Sequence, residues 1–175
     1  MEEVHVGVVY SMQPEPPDSA KTRWFEAGPI RLGLEYRVVD PARLAEAYAD
    51  SAEDLAELEA NSPEGGFSDR GVSIHVVGAE DDHEYLRFDA FEDDPHYHYV
   101  RPTRDYNHWV PFDAIAGGDI LDFTFRCLRE RLPDMLAHAG GEAIARCLDP
   151  EQLAPALDEI ERIAYATREE QRAAS

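Results

Sequence analysis

Lysine is nearly absent from this sequence. Lys21 is the single one among 16 basic residues, and the rest are arginines. The bases face 37 acids, which leaves a formal charge of −21. A surface of that sign repels a phosphate backbone, and no basic groove offsets it, so nucleic acid is not an expected partner. Cysteine is scarce too. Cys127 and Cys147 lie outside any CxxC pair and beside no histidine. They read as two buried free thiols in a reducing cytoplasm, with a disulfide between them as the alternative that spacing leaves open. No run of about 18 apolar residues occurs, so no membrane span is expected. The start, MEEVHVGVVY, has no basic stretch of the kind that opens a secretion signal. Ser68 has no G-x-S-x-G elbow around it.

What is present suits one globular domain. The chain has 175 residues and is 43% hydrophobic, enough for a sizeable core and too much for a disordered chain. Acids cluster at Glu46 to Glu59, Glu80 to Glu84 and Glu92 to Asp94. These read as solvated helix faces and loop tips, with docking of a basic protein partner as the sharper alternative.

Alternating apolar residues predict strands over 3–11 and 31–39, the latter with Leu32, Leu34, Tyr36 and Val38 inward and Glu35 and Arg37 outward. Asp40-Pro41 is a helix cap and first position, which predicts a helix over about 41–60 with a second cap at Ser51. Three strands follow at 72–77, 85–91 and 96–101, with hairpin-sized links, and a fourth at 107–112 extends the sheet at an edge. Beyond 112 the pattern is helical. Leu153, Leu157, Ile160 and Ala164 form a seam that suits either the sheet or a homodimer through the C-terminal helix, and the last residues read as frayed. The expectation is a single α+β domain over 1–175. Its strand-rich part is 1–112 and its helical part 113–175, with a mainly antiparallel sheet covered by helices.

Parity along the central strands sorts their side chains. Pairing Val77 with Tyr85 sets Ser73 opposite Asp89 and His75 opposite Arg87. Pairing Phe91 with His96 sets Asp89 opposite His98. Ile74, Val76, Leu86, Phe88, Tyr97 and Tyr99 then share an apolar face. Ser73, His75, Arg87, Asp89, His96 and His98 share the other, because strand side chains alternate with period two. A His-x-His on a strand projects both rings to one side, about 7 Å apart at the Cα atoms. His96 and His98 are thus candidate ligands for a divalent transition metal, with Asp89 as a third ligand or an orienting group. Ser73, His75, Arg87, Asp89 and Arg101 are candidate contacts for a small polar or anionic molecule.

The string Tyr85-Leu86-Arg87-Phe88-Asp89 with Asp94-Pro95-His96-Tyr97-His98-Tyr99 resembles an uncharacterised family of small bacterial proteins over roughly residues 71–125. That resemblance implies no activity. The His-x-His also invites comparison with cupins, but no Glu follows it at their spacing and the chain ends in helices.

Three functions fit these residues. Without a catalytic signature, a ligand- or partner-binding accessory module is the first expectation. A metal-dependent enzyme centred on His96, His98 and Asp89 is the second. A polar network that only stiffens the sheet is the third.

Overall fold

A computed structural model describes residues 7–103 and 106–174. The proposed strand over 3–11 falls partly outside them. Its described part is β1 (Val8–Tyr10). Then come β2 (Arg23–Ala27), β3 (Ile30–Val39), α1 (Pro41–Ala47), α2 (Ala52–Asn61), β4 (Asp69–Gly78), β5 (Glu84–Phe91), β6 (His96–Val100) and β7 (Asn107–Pro111). The chain closes with α3 (Ala114–Gly117), α4 (Ile120–Glu130), α5 (Leu132–His138), α6 (Glu142–Cys147) and α7 (Pro150–Ala174). The seven strands form one antiparallel sheet in the order β1-β7-β6-β5-β4-β3-β2. This is the expected α+β class, with β2 as an unforeseen addition. β7 is internal rather than an edge, because β1 pairs outside it. Gly33 makes room for β2: a Cβ there would lie 2.8 Å from the Trp24 ring.

Local chemistry sets the helix boundaries. The Asp40 carboxylate accepts the Arg43 N–H and the Ser51 hydroxyl accepts the Asp54 N–H, so the predicted long helix is two short ones. Asp119 caps α4 through the N–H groups of Leu121 and Asp122. The tail expected to fray stays helical to Ala174. Arg168 pairs with that same Asp119 at 2.8 Å, and Tyr165 donates to Asp122, which ties α7 to the start of α4.

The core lies on one face of the sheet. Ile74, Val76, Leu86 and Phe88 pack with Phe125, Leu128, Leu136, Leu157 and Ile160 from α4, α5 and α7. The C-terminal seam is therefore used within the chain. Cys127 is buried as expected, but Cys147 is exposed, because it ends a short helix with no buried residue. Among the described residues no helix is long and apolar enough to cross a membrane.

The opposite face is also buried, and this departs from the sequence reading. Glu35 and Arg37 point away from the core as expected but are 0% and 2% exposed. Val38, expected inward, is 51% exposed. A second layer covers the polar face: residues 11–15 cross it, held by Ser11 to Glu57 and by the Tyr48 hydroxyl donating to the Gln13 carbonyl, with α1 and α2 outside.

Candidate metal centre

The two registers on the central strands decide what meets on the covered face. β4 and β5 pair Ser73 with Asp89 and His75 with Arg87, as expected. A bulge follows, so Val77 pairs with Glu84 and not Tyr85. The extra residue turns Tyr85 into the core and leaves Glu84 on the polar side, against His75 and Arg87. Between β5 and β6 the register differs by two from the expected one. Asp89 pairs with His96, and Arg87 with His98. The cause is Asp69, whose carboxylate accepts the N–H groups of Glu92, Asp93 and Asp94 and holds the connection wide. A slip of two preserves the face, so the polar set stays together.

Asp89, His96 and His98 converge. Each histidine Nε2 lies 3.2 Å from Asp89 Oδ2. The three ligand atoms sit within 4.8 Å of one another. All three residues are buried, at 2%, 4% and 6% exposure. The far side of each ring is occupied. His96 Nδ1–H donates to the Asp94 carbonyl at 2.6 Å, and His98 Nδ1–H to Asn107 Oδ1 at 2.8 Å. With Nδ1 engaged, each ring turns Nε2 to the carboxylate oxygen, where Nε2 donates when protonated and offers a lone pair to a metal ion when not. The other oxygen of Asp89 is anchored by the Ser73 hydroxyl.

Without a metal ion the histidines meet the Asp89 charge through Nε2–H, and a metal ion would take the place of those protons. Burial opposes the Asp89 charge, yet hydrogen bonding to His96 and His98 and the nearby Arg87 charge hold its carboxyl well below the usual value. Burial also lowers His98, which favours its neutral form. Of the other carboxylates in this layer, Asp69 is met by backbone N–H groups and three more have guanidinium partners. Glu15 pairs with Arg37 and Arg43, Glu35 lies within 4.0 Å of both, and Glu84 meets Arg87 through two nitrogens. Among the described residues no lysine or arginine pairs with Asp89. Burial pushes the Glu84 carboxyl up, but Arg87 and His75 outweigh it and bring it down to about 2. The ion pair with Glu84 offsets much of the Arg87 charge beside the trio. Arg87 also donates to the Glu15 carbonyl at 2.5 Å.

The donor set fits a divalent transition ion. Bonds of about 2.0–2.2 Å to imidazole nitrogen and carboxylate oxygen place neighbouring ligand atoms roughly 3.0–3.4 Å apart, and the two separations between histidine and Asp89, 3.2 Å each, fall in that range. Acceptors behind each imidazole and a hydroxyl behind the carboxylate are the usual supports of metal ligands.

The trio opens onto a cavity of about 480 Å³, within the size range of small-molecule sites. Its wall carries Phe67, Phe91 and Trp109 around His96, with ring centroids 6.3, 5.5 and 5.1 Å from the imidazole. Leu44, Tyr48 and Leu58 of the helical cover face them. Arg87 lines the cavity as well. The remaining sequence candidates lie elsewhere. Ser73 sits behind Asp89, and His75 is locked at 2.5 Å to Glu84, away from the cavity. The Arg101 guanidinium stacks on Tyr106, 4.3 Å from the ring centre. Glu84, Glu15, Asn107 and Trp109 escaped the sequence reading. The bulge hid Glu84, and contacts across the sheet or from the crossing segment hid the rest.

No curated protein and no solved structure matches this chain. The sequence family described as a domain of unknown function (DUF7700) matches residues 24–164, which include every strand that carries the trio, and the chain belongs to that family.

Proposed function

We propose that this protein is a metal-dependent enzyme that holds one divalent transition ion through Asp89, His96 and His98 and presents it to a small organic molecule in the adjoining cavity. One observation carries this reading: two imidazole Nε2 atoms, each ring held from behind at Nδ1, converge at 3.2 Å on one oxygen of a buried carboxylate that has no guanidinium or ammonium partner among the described residues. A charged carboxylate buried this way costs several kcal/mol unless a cation meets it. Three protein ligands with the rest of the coordination sphere facing a cavity are typical of catalytic metal sites, whereas structural sites are closed by four. Such an ion polarises a carbonyl or lowers the pKa of a bound water. The accessory-module expectation becomes secondary. The purely structural network is disfavoured because the trio faces a cavity and α4 packs on the opposite side of the sheet.

The test is metal analysis by mass spectrometry of protein purified without a histidine tag. About one equivalent of a transition ion is expected in the wild type, and less than about a tenth of that in His98→Ala, which removes one of three ligands. Metal content unchanged by His98→Ala would sink the proposal.

A further inference from the structure

The chemical class of the ligand follows from the charge and walls of the cavity, granted the metal reading above. We infer that the cavity takes a small organic monoanion, a carboxylate with an aromatic or bulky apolar body, whose oxygen completes the coordination of the ion at Asp89, His96 and His98.

Charge balance gives the sign. In the polar layer Glu15, Glu35 and Glu84 are matched by Arg37, Arg43 and Arg87, each carboxylate lying within 4.0 Å of a guanidinium. The charge of Asp89 is left over. A dication bound to one carboxylate and two neutral imidazoles leaves a net single positive charge at the cavity floor. In an enclosed site that charge attracts an anion far more strongly than in water. Asp94 also lines the cavity, but its carboxyl is partly exposed and solvent screens it. The single net positive charge at the floor matches one negative charge on the ligand and disfavours a dianion such as phosphate.

The walls give the shape. The ring of Trp109 and those of Phe67 and Phe91 flank His96, so the space beside the ion is bounded by aromatic surface. Leu44 and Leu58 form the far wall. Desolvating an apolar body against these residues contributes about 25 cal/mol per Å². A bare anion gains the coordination without that term.

The experiment uses the full chain loaded with Co(II), whose visible spectrum reports on its ligands. Cobalt stoichiometry is measured first and tests the metal reading by itself. The loaded protein is then titrated with benzoate, acetate, benzamide and inorganic phosphate. Benzoate is expected to shift the spectrum saturably and to bind at least about tenfold more tightly than each of the other three. Calorimetry should find benzoate at least about tenfold weaker on the metal-free protein. Benzamide or phosphate binding as tightly as benzoate would overturn the charge assignment, and acetate binding as tightly would overturn the apolar body. Equal benzoate affinity with and without cobalt would overturn ligation by the ion while leaving the metal site standing. A protein that takes up no cobalt removes both.

Discussion

At the scale of single residues the centre depends on groups behind the ligands as much as on the ligands. Asn107 Oδ1 fixes the Nδ1 proton of His98 and turns Nε2 toward Asp89. An aliphatic residue there frees the ring and removes its acceptor. Asn107→Leu should therefore weaken metal binding about 10- to 100-fold while the protein stays folded. Chelator competition gives the affinity, and circular dichroism checks the fold. Unchanged affinity would mean that the ring needs no such support. Individual site residues were legible because a strand alternates. Asp89, His96 and His98 fall on one face by parity alone, and a register error of two left that intact. Asn107 was not legible as a partner of His98, since its role arises only when β7 is laid beside β6.

At the scale of elements, a turn and a bulge do what the hairpin count could not foresee. Asp69 gathers four backbone N–H groups, its neighbour Arg70 and the three of Glu92 to Asp94. It thereby aligns the Asp94 carbonyl that receives the His96 proton. The sequence reading took the acids of 92–94 as a solvated loop tip. A carboxylate one strand away sets the width of that connection. Asp69→Ala should cost about 2 kcal/mol, as losing a multiply bonded cap does. It should also weaken metal binding through His96. Urea denaturation and metal competition on the same variant measure both. A stability loss with full metal affinity would separate the turn from the site. The bulge in β5 explains why period two missed Glu84: the extra residue inverts the parity at the strand's start.

At the scale of the whole molecule, the sheet divides two tasks. One face packs against α4, α5 and α7 and forms the hydrophobic core. The other carries buried ion pairs and the trio beneath a thin cover in which α1 and α2 contribute no fully buried residue. The α+β class and the core face were readable from hydrophobic periodicity. That the polar face is also buried was not, because its cover includes an irregular, proline-rich segment with no pattern of its own. This second layer makes the protein acid-sensitive in a defined window. The Glu84 carboxyl sits at about 2 when folded against an ordinary 4.5. Its stabilisation is present above about 4.5 and is lost as pH falls toward about 2. Glu84→Gln should cost about 3 kcal/mol at pH 7, since it leaves Arg87 buried without its carboxylate. It should also flatten the loss of stability between those pH values in denaturant titrations. An unchanged slope would place the acid sensitivity elsewhere.

The metal centre itself is tested most directly by calorimetric titration of chelator-stripped protein with Zn(II), wild type beside Asp89→Asn. A genuine site gives one saturable equivalent in the wild type and at least about a 100-fold loss of affinity in Asp89→Asn, where the anionic ligand has become a neutral amide. Identical binding curves for the two proteins, or no saturable binding by either, would contradict it.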